Sequence, residues 1–314
     1  MEAGEAGETS AVALFLALLA LMALMAFFAV DGCRYENLVF GAGGIKGAAH
    51  VGVLAFMHEH GHMRRARRFA GSSVGAVTAA ACALRMDVRE IARLWSGLDY
   101  AALVTMVDSP DRRGTTALGT FTGNAMHAFF RRLFERETGN PDMTFRELHR
   151  ARGTTLVVAV TCVSTMRCVY LTHTDPAHAD TPVALALRMS CSLPLVLEPV
   201  LYKGLLFADG GITDDVPLAA FEGHEPHKTL CVELLSRADS ATQSETERSE
   251  AERSETARSR RLRVMRVQTD TQGGFTRVEN EDTDALVRRG YSEARRFFSG
   301  RGPRIGADAR RVAH

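Results

Sequence analysis

A serine between two glycines is the first candidate for chemistry in this chain of 314 residues. The segment Gly71-Ser72-Ser73-Val74-Gly75 follows a short apolar stretch and precedes an alanine-rich one. A strand that enters a helix through such a sharp turn presents the central hydroxyl, here that of Ser73, at the helix N-terminus. The spacing is typical of a serine nucleophile, although a tight structural turn can have the same sequence and Ser72 offers a neighbouring hydroxyl.

Adjacent glycines form the second candidate, in the segment Ala42-Gly43-Gly44-Ile45-Lys46-Gly47. Their backbone N–H groups can bind an anion such as a phosphate or an oxyanion. A dinucleotide site needs a third glycine, where Lys46 stands, and an acidic residue about 20 positions further on, where the sequence has Phe69-Ala70-Gly71. The segment therefore predicts an oxyanion hole beside Ser73 rather than a nucleotide site.

A carboxylate at the end of a strand is the third candidate. Asp209 closes a short apolar stretch and is followed by Gly210 and Gly211. If it lies at the same sheet edge as Ser73, it can take the proton of the serine hydroxyl directly, without a metal or cofactor. A simple Asp-Gly-Gly turn is the alternative.

These residues need a scaffold, and the sequence predicts an α/β one. Strand, glycine-rich turn and helix occur twice, with strands over residues 36–40 and 67–71 and helices ending near residues 60 and 84. This order indicates a parallel sheet with right-handed crossovers. Further strands are predicted over residues 154–163, 167–172, 200–202, 205–208, 230–235 and 262–267, and further helices over 88–95, 124–137, 181–189 and 284–298.

Together the three motifs resemble the patatin-like phospholipase family. The matching segments are LVFGAGGIKGAAHVGVL, FAGSSVGAV and FADGGITDDVPL, with ALALRMSCSLPLVLEPV before the third and ALVRRGYSEARRF as a closing helix. The resemblance implies a three-layer α/β/α sandwich with a mainly parallel central sheet. It also implies a lipid acyl hydrolase with a Ser–Asp dyad and no cofactor, acting on phospholipids, lysophospholipids or neutral glycerides.

Carried over by motif, Ser73 is the nucleophile, Asp209 the general base, and the amides of Gly43, Gly44 and Ile45 the oxyanion hole. The remaining motif positions have supporting roles: Ala42, Lys46, Gly47, Gly71, Gly75, Gly210 and Gly211.

Two departures from the family pattern leave other functions open. Ala42 stands where the family usually has glycine, and Asp214 and Asp215 stand where asparagine is common, so like-charge repulsion is expected to raise the pKa of Asp209. These features favour an inactive membrane protein that binds lipids or partners. A third possibility is an esterase with a histidine base, for which His50 is the candidate.

Two side-chain patterns have both a structural and a functional interpretation. Phe129, Phe130, Leu133 and Phe134 recur at helical spacing, so we expect a core stripe, with an acyl-chain pocket as the alternative. Arg64, Arg65, Arg67 and Arg68 are expected in a solvated loop at the end of the strand opposite Ser73. Contact with anionic headgroups is the alternative for this cluster.

Residues 11–30 are an uninterrupted run of 20 apolar residues, which predicts a transmembrane helix. The acidic flank before the run argues against a signal peptide, and the absence of a polar face argues against a core helix. Basic residues follow the run, so the catalytic domain is expected on the cytosolic side of a single-pass protein. Six cysteines without CxxC spacing agree with a reducing compartment.

The composition separates the chain into regions. An acidic tail (residues 1–10) precedes the membrane segment, and the catalytic domain is predicted over residues 36–235. A low-complexity insert (residues 236–263) contains five-residue repeats such as SETER, and a closing strand and helix (residues 264–299) and a flexible tail (residues 300–314) follow it. A net charge of +1 gives no global field for nucleic acid, so the expected partners are an acyl-lipid substrate and the bilayer.

Overall fold

A computed structural model describes residues 35–96, 119–236, 262–269 and 283–300, together with positions 18, 19 and 22. The described strands are β1 (Asn37–Phe40), β2 (Arg68–Ser72), β3 (Gly119–Phe121), β4 (Thr155–Cys162), β5 (Arg167–Thr172), β6 (Leu195–Leu197), β7 (Val200–Tyr202), β8 (Leu205–Asp209), β9 (Thr229–Ser236) and β10 (Arg263–Thr269). The described helices are α1 (Ala48–Glu59), α2 (Val74–Ala83), α3 (Val88–Ser96), α4 (Asn124–Thr138), α5 (Phe145–Arg152), α6 (Val183–Ser190) and α7 (Thr283–Phe298).

Eight strands form one mixed sheet in the order β10-β9-β1-β2-β4-β8-β7, with β5 also paired to β4. The five strands from β10 to β4 run parallel, whereas β5 and β8 run antiparallel to β4 and β7 antiparallel to β8. A mainly parallel α/β sheet is therefore confirmed. The short strands β3 and β6 pair separately.

The two faces of the sheet are covered differently. Along β1, Leu38 and Phe40 belong to the main core with the buried side chains of all seven described helices. Val39, from the alternate face, packs in a smaller cluster with Phe221 and other residues of the 216–221 segment, which contains a short 3-10 helix. The expected three-layer α/β/α sandwich has helices on both faces of the sheet. Among the described residues, the helices pack on one face and this segment packs on the other.

Local sequence signals explain several helix ends. Thr144 and Glu147 form a reciprocal capping box at the start of α5. Gly139 and Gly153, which have left-handed backbones, end α4 and α5. The closing helix α7 packs on α1, where a Cβ at Gly52 or Gly290 would come within 1.9 Å of a backbone oxygen of the other helix.

The N-terminal membrane prediction lies outside the described residues, except for positions 18, 19 and 22. Among the residues that are described, no helix is both long enough and apolar enough to span a bilayer. Nearly all of the acidic tail, the insert and the C-terminal tail also lie outside the described ranges.

Candidate active site

Ser73 occupies a strained turn between β2 and α2. Its φ of 53° and ψ of −125° lie in a region that residues with a side chain rarely adopt. The flanking glycines make this turn possible, because a Cβ at Gly71 would lie 2.2 Å from the carbonyl of Gly75. A Cβ at Gly75 would in turn lie 2.2 Å from the Phe40 carbonyl oxygen. The Gly-x-Ser-x-Gly spacing is therefore a packing requirement of the turn that presents the serine.

The Ser73 hydroxyl donates a hydrogen bond of 2.7 Å to Oδ2 of Asp209. The other carboxylate oxygen, Oδ1, accepts a hydrogen bond from the Gly211 amide at 2.8 Å. Thr161 on β4 donates to the Asp209 backbone carbonyl at 2.7 Å. Both dyad side chains are about 5% exposed, so the carboxylate is held in one orientation and shielded from water.

The register of β4 brings the two residues together. Ser72, the last residue of β2, pairs with Ala159, and Asp209, the last residue of β8, pairs with the next residue, Val160. Because β2 is parallel and β8 antiparallel to β4, the two strands end head to head along it. The sequence predicts that Ser73 and Asp209 share one edge of the sheet. In the structure they meet because the ends of β2 and β8 face each other along β4.

Burial raises the pKa of Asp209 from its ordinary value of 3.8 to about 6. Hydrogen bonds from Ser73 and Gly211 oppose this rise, and the nearby charge of Asp215 adds to it. The expectation that both Asp214 and Asp215 act by repulsion is thus correct only for Asp215, and repulsion is not the main cause. Asp214 instead accepts a hydrogen bond from the Tyr170 hydroxyl.

Ser190, the last residue of α6, and Ser192, two residues later, hold the backbone at Ser73 and Asp209. The sequence motifs do not single these serines out. Ser190 Oγ accepts the Ser73 amide at 2.8 Å and donates to the Ala159 carbonyl at 2.7 Å. The Ser192 carbonyl accepts the Asp209 amide at 3.0 Å. The only sequence signal was the family-like stretch around them, because a hydroxyl that serves a distant backbone amide has no local pattern.

The glycine-rich segment lies against the serine turn. A Cβ at Gly47 would lie 2.2 Å from the Val74 side chain, and Gly75 packs on the carbonyls of Phe40 and Gly41. The Lys46 amide donates to the Gly43 carbonyl, which begins a short 3-10 helix. Within the described part of the chain, no backbone acceptor outside that helix takes the amides of Gly43, Gly44 or Ile45, so these amides remain available for an oxyanion.

The departure at position 42 causes no backbone strain. Ala42 is buried, has no left-handed φ, and its amide donates to the Asp215 carbonyl at 2.9 Å. A Cβ added at Gly211 would lie 3.3 Å from the Cβ of Ala42. Because Gly211 has no side chain, there is room for the methyl group of Ala42. A Cβ at Gly210 would come within 2.3 Å of the Ala159 carbonyl oxygen, so this turn also depends on glycine.

A narrow apolar cavity opens at Ser73, with a volume of about 40 Å³. Side chains of α2, α3 and α4 line it, together with Cys191. Phe129, Phe130 and Leu133 face this cavity, whereas Phe134 is buried in the core and is not part of the lining. This volume is small, enough for only a few water molecules.

His50 is not paired with the serine. Its Nδ1 lies 3.3 Å from Thr78 Oγ1, and its ring packs edge-on against Phe40. Burial lowers the pKa of His50 to about 3. This environment suits a neutral core histidine, and the partner of the Ser73 hydroxyl is Asp209.

The family model described as "Patatin-like phospholipase" matches residues 38–222. The chain is 25% identical over 193 residues to an uncharacterised protein of Acanthamoeba polyphaga mimivirus, with coverage of 60% of this chain and 61% of that protein. It is 30% identical over 203 residues to an uncharacterised NTE family protein of Mycobacterium tuberculosis, with coverage of 64% and 30%. The match thus spans less than two thirds of the length of these two relatives.

Solved structures share the fold. VipD from Legionella pneumophila aligns with a TM-score of 0.60 and 18% identity, over 85% of this chain and 67% of that one. ExoU, in its complex with SpcU from Pseudomonas aeruginosa, aligns with a TM-score of 0.51 and 18% identity, over 85% and 52%. At this identity the likeness concerns architecture alone.

Proposed function

Since the chain belongs to the patatin-like phospholipase family, we propose that it is a serine hydrolase that cleaves fatty-acyl esters of phospholipids or lysophospholipids. One observation carries the proposal: the Ser73 hydroxyl donates to a buried Asp209 carboxylate at the opening of an apolar cavity. A nucleophile, a base and an apolar surface for the acyl chain meet at this point.

In the proposed first step, Asp209 Oδ2 takes the Ser73 proton as Oγ attacks the ester carbonyl carbon. The 2.7 Å hydrogen bond already joins the two atoms between which the proton moves. The Gly211 amide holds the other carboxylate oxygen and keeps Oδ2 directed at the serine. The amides of Gly43, Gly44 and Ile45 then stabilise the negative oxygen of the tetrahedral intermediate.

The leaving alcohol takes the proton from Asp209, and the acyl group remains on Ser73 as an ester. In the second step Asp209 accepts a proton from water, which attacks the acyl carbonyl. The bond to Ser73 Oγ then breaks, Asp209 returns the proton to Oγ, and the fatty acid is released. A pKa of about 6 suits this role, because at neutral pH the carboxylate is mostly ionised yet more basic than an ordinary aspartate.

The lining of the cavity supports a lipid substrate. Apart from Ser73 and Cys191, its walls are apolar, including Trp95 on α3 and Phe129 on α4. Such a lining binds hydrocarbon and offers no partner for a polar acyl group. The headgroup of the substrate would remain outside the cavity.

Exposed apolar side chains beside the dyad support access from a lipid surface. Leu195 is 80% exposed on a left-handed backbone, three residues after Ser192, and Ile212 is 41% exposed, three residues after Asp209. The Asp209 amide donates to the Ser192 carbonyl, so Leu195 and Ile212 both lie on segments that meet at Asp209. We further propose that residues 11–30 anchor the chain in the bilayer, with the catalytic domain on the cytosolic side.

The test is fatty-acid release by the full chain from a panel of phospholipid, lysophospholipid and triglyceride. Release from a phospholipid or lysophospholipid is expected, with loss to background for Ser73→Ala and for Asp209→Asn. Ser72→Ala is the matched control, since it removes the adjacent buried hydroxyl, which has no hydrogen-bond partner among the described residues. Release that persists in Ser73→Ala would refute the mechanism, and a folded chain without activity would favour the inactive lipid-binding protein.

A further inference from the structure

A second and larger cavity lies between the loop after α1 and the start of α3. Its volume is about 420 Å³, which is within the range of small-molecule sites. Most of its lining is apolar: Met63, Phe69, Cys82, Met86, Val88 and Ile91. The family motifs and the dyad chemistry leave this cavity without a role.

Cations stand at the edge of this apolar space. Arg64 and Arg85 line the cavity together with His58. In the described ranges neither guanidinium pairs with a carboxylate, and Nη1 of Arg85 donates to the Ala66 carbonyl at 3.1 Å. The nearest carboxylate along the chain, Asp87, accepts the amide of Arg89 at 2.7 Å.

The charge of Arg85 is not balanced by its other neighbours. Burial and the positive charge of Arg67 lower the pKa of Arg85. Burial also raises the pKa of Cys82 to about 12, so the adjacent thiol stays neutral. Arg85 has a left-handed φ of 63° because it ends helix α2, where the Met86 amide donates to the Ala81 carbonyl at 3.2 Å. An anion at this edge would relieve the repulsion between neighbouring guanidinium groups.

The inner end of the cavity reaches the active-site region. Ile91 on α3 lines both this cavity and the one at Ser73. Because both arginines are exposed and Ile91 is buried, an extended chain that enters at the arginines would point toward Ile91.

We propose that this cavity binds a long-chain carboxylate, with the carboxylate at Arg64 and Arg85 and the hydrocarbon chain directed inward to Ile91. An uncharged long-chain alcohol lacks the group that the arginines bind, and a small anion lacks the chain that the lining buries. The site is separate from the dyad, so its existence does not depend on the proposed hydrolysis.

Direct binding of dodecanoate to the full chain, measured by calorimetry below the micelle concentration, tests the proposal. The double variant Arg64→Gln/Arg85→Gln is expected to bind about tenfold more weakly or worse, because it loses the charge-assisted hydrogen bonds. Arg65→Gln is the matched control, since Arg65 belongs to the same basic cluster but does not line the cavity. Dodecanol is expected to bind more weakly than dodecanoate, and acetate not at all.

A second variant tests the cavity itself. Val88→Phe narrows the apolar space without altering the charge, so it should weaken dodecanoate binding while thermal unfolding shows a folded chain. Unchanged dodecanoate binding in the double variant would overturn the proposal and assign the ligand to the Ser73 cavity. The proposal would also be overturned if Arg65→Gln weakened dodecanoate binding as much as the double variant does. Binding to anionic vesicles without binding of monomeric dodecanoate would overturn it too, and both results would point to a charged surface.

Discussion

Replacing Asp209 by asparagine is expected to stabilise the fold while it abolishes hydrolysis. In the native chain the carboxylate is buried, and its pKa rises from 3.8 to about 6. The folded state therefore holds the proton more tightly than the unfolded state does. The stability that protonation contributes is fully present below pH 3.8 and is lost as the pH rises through about 6.

At 1.36 kcal/mol for each pKa unit, the ionised carboxylate costs up to about 3 kcal/mol of unfolding free energy at pH 7. Asparagine is neutral at every pH and similar in shape. Its oxygen can still accept the Gly211 amide, and its amide group can face the Ser73 hydroxyl. We therefore expect Asp209→Asn to be more stable than the native chain by roughly 1–3 kcal/mol at pH 7, with the difference vanishing near pH 4.

Urea unfolding of both proteins at pH 7 and pH 4 measures this difference. Asp142→Asn is a suitable control, because Asp142 is exposed and pairs with Arg131, so neutralising it should give no such gain. An Asp209→Asn chain that is less stable than the native one at pH 7 would show that the buried carboxylate does not destabilise the fold. So would a stability difference that does not change between the two pH values.

Three further changes have defined outcomes. The value of kcat/KM should fall about tenfold between pH 7 and pH 5 as Asp209 is protonated. Asp215→Asn should move the inflection of this profile to lower pH. A flat profile over this range would contradict the assignment of Asp209 as the base. Ser190→Ala should cost about 1–3 kcal/mol in urea unfolding, because the buried Ser73 amide and Ala159 carbonyl lose their partner, and Ser190→Thr should restore part of it. Gly75→Ala should destabilise the fold by about 3 kcal/mol or more, since its Cβ would meet the Phe40 carbonyl oxygen. Gly153→Ala, which has open space but a left-handed φ of 63°, should cost only the roughly 1–2 kcal/mol of that backbone conformation.

The secondary structure could be predicted from the sequence because its signals are local. The strands at residues 37–40 and 68–72 and the helices after them match the predicted positions. The Gly-x-Ser-x-Gly spacing also predicts the turn, because each glycine is demanded by a contact inside that turn.

The arrangement of the site was harder to predict because it depends on the pairing of strands that lie far apart in the sequence. The meeting of Ser73 with Asp209 is set by neighbouring residues of β4, and nothing near either residue encodes that register. The pKa of Asp209 shows the same limit. Its charged neighbours are visible in the sequence, but the main cause is burial, which only the packed fold reveals.

Covalent trapping of the nucleophile is the measurement that decides whether Ser73 attacks the ester with Asp209 as its base. The full chain would be treated with a long-chain alkyl fluorophosphonate, digested and analysed by mass spectrometry. We expect a single phosphonylated serine, Ser73, with labelling lost in Ser73→Ala, strongly slowed in Asp209→Asn and retained in Ser72→Ala. A label on Ser72 or another residue, or labelling of Ser73 at an undiminished rate in Asp209→Asn, would contradict it.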